Sequence, residues 1–193
     1  MSVALDHTQM SGGRFSSLMM ALNTRYHKVG LWIFMGITIA HWVEHILQAI
    51  QVYALGWERP AARGGLGLVF PWLATSEVLH YWYAIVMLAG LLILAPGFVG
   101  TARKWWYLAL GIQFWHHIEH ALLLGQATVH SNLFGAEVPT SIAQLVIPRV
   151  ELHLLYNALV FVPMLIAMYF HARPPAEDHA LMRCTCSSYA HAH

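Results

Sequence analysis

Residues 30–55 read GLWIFMGITIAHWVEHILQAIQVYAL, an apolar stretch that carries His41-Trp42-Val43-Glu44-His45 and, six residues further on, Gln51. A helix needs about 20 apolar residues to cross a bilayer, and lipid offers no partner to an unpaired backbone amide, so this stretch reads as a transmembrane helix. The pattern returns 75 residues later as His116-His117-Ile118-Glu119-His120, with Gln126 again six on. Both copies are HxxEH, then five residues and Gln, and Lys28 ahead of the first corresponds to Arg103 ahead of the second.

Three more apolar stretches, at about residues 66–99, 105–127 and 142–170, bring the number of expected spans to four. The second and fourth also correspond: Pro71 precedes Glu77, His80 and Tyr83, and Pro148 precedes Glu151, His153 and Tyr156, with HxxY kept in both. The expected fold is an all-α membrane protein, a four-transmembrane-helix bundle made of two parallel two-helix repeats over residues 28–99 and 103–171. A segment 1–27 precedes them and a tail 172–193 follows. The first segment does not read as a cleavable signal, because its apolar patch at 18–22 is followed by Arg25 and Lys28. Phe15, Leu18, Met19 and Leu22 at helical spacing suit a short helix in the membrane interface.

Composition agrees. The chain is 58% hydrophobic and 10% charged, whereas soluble domains carry about a quarter charged residues. Arg14, Arg25, Lys28, Arg103, Lys104, Arg173 and Arg183 fall on one side of the spans, against Arg59, Arg63 and Arg149 on the other. Both termini are therefore expected in the cytoplasm, of a bacterial plasma membrane. A net charge of +1 gives no nucleic-acid footprint. The expected partners are the lipid bilayer and other membrane subunits or further copies of the chain.

Thirteen residues past Lys28 and Arg103, His41 and His116 lie about 20 Å into their spans. Glu77, His80, Glu151 and His153 reach a similar level from the other side, so all four helices bring polar side chains to one layer. A charged residue at a helix centre costs on the order of 3 kcal/mol, so four carboxylates there demand compensation. In HxxEH the first histidine is one turn from both the glutamate and the second histidine, so the three share a sector.

A metal centre is the economical partner for such a cage. The expected ligands are His41, Glu44, His45, Glu77, His80, His116, Glu119, His120, Glu151 and His153, around two ions, with iron preferred and zinc, copper or manganese as alternatives. Tyr83 and Tyr156, one turn from a histidine, are the candidate catalytic partners. One glutamate per helix resembles ferritin-like di-iron bundles, and Glu77-Val78-Leu79-His80 is an ExxH motif of that kind. The histidine content is also similar to that of membrane-bound di-iron hydroxylases and desaturases, although their HxxxxH and HxxHH boxes are absent. These resemblances imply oxygen activation or electron transfer, hence a redox enzyme or subunit acting on a small or lipophilic substrate.

Other readings stand beside this one. The six histidines can pair around a b-type haem. HxxEH also resembles the inverzincin zinc-hydrolase motif, with the glutamate as general base. A non-catalytic accessory or metal-handling subunit is a fourth reading, in which Cys184 and Cys186 feed the buried ligands. Cys184-Thr185-Cys186, followed by His191 and His193, can hold a soft metal, against the plainer expectation of an unstructured tail. Trp57, Trp72, Trp105 and Trp106 are assigned to the interface belt, and Gly36, Gly90, Gly111 and Gly125 to close helix packing.

Overall fold

A computed structural model gives the fold and describes residues 7–186, with side chains from residue 13 onward. Among the described residues every regular element is helical. Seven α-helices follow in order: α1 His7–Asn23, α2 His27–Tyr53, α3 Leu66–Val69, α4 Pro71–Thr75, α5 Glu77–Leu94, α6 Gly100–Val129 and α7 Arg149–Ala172. Among the described residues three segments are long and apolar enough to cross a membrane: His27–Tyr53, Glu77–Gly97 and Arg149–Ala172. The chain therefore reads as an integral membrane protein.

Two expected spans are shorter than the apolar stretches that suggested them. Residues 66–75 form the short α3 and α4, broken at Phe70 just before Pro71, and α5 starts afresh at Glu77 with Ser76 as its cap. The Ser76 hydroxyl accepts the Leu79 N–H at 3.3 Å, satisfying one of the amides that a helix start leaves open. Likewise residues 142–147 turn rather than span, and α7 begins after Pro148. Proline is at home at such starts because it lacks the N–H that the first turn cannot use. The two prolines thus begin helices; the proline inside a helix is Pro163.

The apolar core joins early residues of α2 and α6 to late residues of α5 and α7. Leu31, Phe34 and Met35 pack with Leu91 and Leu94, with Trp106 and Ala109, and with Met164 and Ala167. Neighbouring long helices therefore run antiparallel, and the core occupies the end of the molecule that carries α1. Trp106 lies at its centre, fully buried, stacked on Phe98 at 4.0 Å with its Nε1–H on the Leu91 carbonyl at 2.8 Å. It does not belong to an interface belt: a buried carbonyl left free by the helix end gives the indole a partner. Of the glycines assigned to packing, Gly90 lies against the Phe34 ring, whereas Gly36, Gly111 and Gly125 face open space.

The C-terminal segment folds back on this end. Asp178 accepts the Thr101 N–H at 2.8 Å at the start of α6, and Thr185 N–H reaches the Thr24 carbonyl at 3.4 Å. His191 and His193 lie outside the described residues.

Candidate metal centre

The histidine layer lies beyond the apolar core, and the two HxxEH copies are folded alike. In each, the glutamate and the distal glutamine reach outward to a loop. Glu44 accepts the Gly65 and Leu66 N–H groups at 2.8 and 3.0 Å, and Gln51 exchanges two hydrogen bonds with Gly64 at 2.9 and 3.0 Å. In the second copy Glu119 accepts the Ala143 N–H at 3.0 Å. Gln126 accepts from Leu133 and Thr140 at 2.9 and 3.2 Å and donates to the Thr140 carbonyl at 2.9 Å. A loop crossing an apolar environment must place its backbone groups somewhere, and these side chains receive them.

The other two glutamates sit in the first turns of α5 and α7. Glu77 takes a two-pronged bond from Arg149, at 2.6 and 2.9 Å. Glu151 is bonded by Arg59 at 2.7 Å and by the Tyr53 hydroxyl. A carboxylate at a helix N-terminus has the dipole in its favour and loop arginines within reach, so it needs no metal to offset its charge. Of the four carboxylates expected as ligands, only Glu119 comes within 4.0 Å of an imidazole nitrogen. Its Oε2 lies 3.9 Å from His116 Nδ1, with both atoms buried and neither hydrogen-bonded.

The six expected histidines do come together. His41 and His45 approach Nε2 to Nε2 at 3.1 Å, and His116 and His120 repeat this at 3.2 Å. His45 stacks on His153 with ring centres 4.7 Å apart, and His153 lies 5.5 Å from His120 and 5.6 Å from His116. His80 completes the set, 6.2 Å from His120 and 6.4 Å from His153. Ligand atoms of His116, His120 and His153 all lie within 4.8 Å of one another.

Hydrogen bonds on the far side of three rings fix which nitrogen is free. His80 Nδ1 lies 2.9 Å from the Ser76 carbonyl and His153 Nδ1 lies 2.7 Å from the Arg149 carbonyl, each one turn back along its own helix. His45 Nδ1 lies 2.8 Å from Gln48 Oε1. Carbonyl oxygens only accept, so each Nδ1 carries the proton and each Nε2 keeps its lone pair. His153 Nε2 is buried without a donor. With metal–nitrogen bonds of 2.0–2.1 Å, two imidazoles on one ion stand about 3.0–3.4 Å apart, which is the spacing within each i, i+4 pair. Gln48 was not singled out in the sequence, where a glutamine one turn from a histidine is unremarkable.

Tyr83 stacks on His41 at 4.0 Å, and Tyr156 lies over His116 at 4.3 Å. The Tyr83 hydroxyl donates to the Ile37 carbonyl at 2.7 Å. His117, outside the shared sector, stacks on Tyr81 at 5.1 Å.

Three spaces meet the layer. A cavity of about 20 Å³ is lined by His41, His80, His116 and His120 with Tyr83, Gln113 and Asn157, enough for one water or ion. A wide vestibule of about 990 Å³ leads in from the outer loops past Arg59, Arg63 and Arg149 to His45, His80 and His153. An apolar cleft of about 430 Å³, walled by Ile37, Ala40, Leu66, Leu73 and Leu79, reaches His41, His45, His80 and Tyr83 between α2 and α5. No protein family, curated protein or solved structure matches this chain.

Proposed function

We propose that the chain is a membrane-embedded oxidoreductase or redox subunit in which His41, His45, His80, His116, His120 and His153 hold one or two transition-metal ions. The observation that carries this reading is the fixed tautomer of three rings, with Nε2 lone pairs concentrated in one interior and that of His153 lacking any donor. Ligating histidines characteristically give their other N–H to a carbonyl or carboxylate, which orients the ring and raises its basicity.

Imidazole suits copper, iron and zinc, while the carboxylates that would favour manganese are engaged elsewhere. Redox work selects copper or iron, and Tyr83 and Tyr156 stand against the first histidine of each copy, placed to relay a proton or an electron. The apolar cleft would admit a small lipophilic substrate from the membrane side, and the vestibule would connect the layer to water. A porphyrin does not fit among rings already in contact around a cavity of about 20 Å³, and Glu44, bonded to two loop amides, is not free to act as a hydrolytic base. These observations favour bare ions over haem and over zinc hydrolysis at the first HxxEH copy.

The reading includes α6 as a fourth span. Its mean hydropathy is lowered by residues that face inward: Gln113, Glu119, His120 and Gln126 are buried, while Phe114, Trp115 and Ile118 on its outer face are exposed. This inside-out pattern suits a helix surrounded by lipid. The two helix pairs then form a four-span bundle of parallel repeats, with both termini cytoplasmic by the distribution of arginine and lysine.

The test is elemental analysis with absorption and electron paramagnetic resonance spectra of the purified full-length protein. The expected result is one or two copper or iron ions per chain, lost on replacing His120 and His153 by alanine. A protein that binds no ion when loaded with either metal, or whose bound ion survives both replacements, would refute the reading.

A further inference from the structure

A second set of donors lies at the opposite end of the helices from the outer loops. His27 opens α2, His171 lies near the end of α7, and Cys184 and Cys186 come from the segment that folds back beneath them. His27, His171 and Cys184 are almost completely buried, at 0, 2 and 1% exposure. One ligand atom from each of the four residues lies within 4.8 Å of all the others.

The tautomer of His27 is again fixed from behind. Its Nε2 lies 3.0 Å from the Leu94 carbonyl, so Nε2 donates and Nδ1 offers its lone pair. That Nδ1 faces His171 Nε2 at 3.1 Å and Cys186 Sγ at 3.6 Å, while Cys184 Sγ lies 3.0 Å from His171 Nε2. In a tetrahedral zinc site, bonds of about 2.05 Å to nitrogen and about 2.3 Å to sulfur set N···N near ~3.3 Å and N···S near ~3.5 Å. Three of the six donor–donor distances thus lie within about half an ångström of tetrahedral values, and the other three are under 4.8 Å. Gly97 makes room for the cluster, because a Cβ there would collide with the His27 ring.

We propose that His27, His171, Cys184 and Cys186 form a second metal site, a closed Cys2His2 cage for a soft d10 cation, Zn2+ or Cu+, that fastens the C-terminal segment to the ends of α2 and α7. Binding releases the two thiol protons, and two thiolates with two neutral imidazoles leave a dication electrically neutral in a buried place. All four positions are filled by protein, which is the pattern of a structural site and not of a catalytic one. The Asp178 bond to α6 and the Thr185 bond to Thr24 hold the same segment from either side of the cage. Fourteen residues of α2 separate His27 from His41, about 21 Å at 1.5 Å per residue, so the two sites hold separate ions.

The experiment uses full-length protein in detergent, reduced, stripped of metal and kept anaerobic. Titration with Co2+ reports thiolate ligation by a sulfur-to-cobalt charge-transfer band; the band is expected to saturate at one ion per chain and to vanish in C184S/C186S. Added Zn2+ or Cu+ is expected to slow alkylation of the two cysteines by at least tenfold in the unmodified chain, and whichever ion protects at the lower concentration identifies the occupant. The double variant should keep the ions of the histidine layer, so loss of this site alone leaves the proposed redox centre intact. Cobalt binding without the sulfur band, or cysteines that alkylate equally fast with and without both ions, would overturn the proposal. The alkylation arm needs no variant, so it decides the matter even if C184S/C186S fails to fold.

Discussion

Replacing Glu119 by glutamine separates a carboxylate that binds the metal from one that steers a ligand. Its Oε2 lies 3.9 Å from His116 Nδ1 while its Oε1 holds the Ala143 N–H at 3.0 Å. Glutamine keeps an acceptor for Ala143 and removes only the charge facing the ring. Two unit charges at that distance interact by about 4 kcal/mol at an effective dielectric of about 20, and an imidazole that has given its lone pair to an ion carries roughly a third to a half of a charge. The loss is then about 1.4–2 kcal/mol of metal binding, a tenfold to thirtyfold rise in Kd, in line with the 10–100-fold typical of outer-shell changes. Stoichiometry should not change. The assay is equilibrium dialysis of stripped protein against buffered copper or iron, with helix content followed by circular dichroism. An E119Q protein that no longer binds a full complement at saturation would make Glu119 a ligand and refute the steering role; an unchanged Kd would refute any role.

The remaining predictions concern the frame around the layer. Arg149→Met leaves Glu77, 10% exposed in its side chain, without its two-pronged partner, and should cost about 2–4 kcal/mol in thermal or denaturant unfolding, with E77Q/R149M regaining most of it. Arg59→Ala breaks the more open pair with Glu151, whose side chains are 53% and 25% exposed, and should destabilise the protein much less than Arg149→Met in the same unfolding assay. Gln126→Leu removes three bonds to the 133–140 loop, and hydrogen exchange at Leu133 and Thr140 should accelerate at least tenfold while exchange in α2 is unchanged. Gly97→Ala should disturb the His27 ring and weaken the sulfur-to-cobalt band without altering the metal of the histidine layer, because the collision is confined to that end.

Most of the helical layout could be read from apolar length alone, since a lipid-facing helix has to be apolar on nearly every side it exposes. Helix starts were less legible. The apolar run at 66–76 looks like span, but Phe70-Pro71 and Ser76 interrupt it, and only the backbone shows that Ser76 caps a new helix. In α6 polar residues dilute the hydropathy: Gln113, Glu119, His120 and Gln126 are buried, whereas Arg103, Lys104 and Thr128 are exposed. The six histidines of the layer were legible because the repeat doubled the signal. The glutamates misled, since spacing puts Glu44 in the sector of His41 and His45 but cannot show that two loop amides claim its oxygens. For His27 and His171 the sequence offered only two ordinary histidines at span ends, brought to the cysteines by a chain reversal that leaves no periodic trace.

The division of labour between carboxylates and imidazoles explains how so polar a layer can exist among apolar helices. Had the carboxylates faced the histidines, the unfilled site would carry buried negative charge costing on the order of several kcal/mol per ion. Instead Glu44 gives both oxygens to loop amides and Glu119 gives one, Glu77 and Glu151 are paired with arginines, and apart from the second Glu119 oxygen beside His116 the interior is left to imidazoles that can remain neutral. A neutral imidazole costs far less to bury than a carboxylate, and the i, i+4 pairs hold two Nε2 atoms at ligand spacing before any ion arrives. The apo fold is therefore expected to persist and the ion to bind a largely preformed site. That sets the histidine layer apart from the Cys2His2 cage, where the cation would compensate two thiolates and the folded-back segment would depend on it.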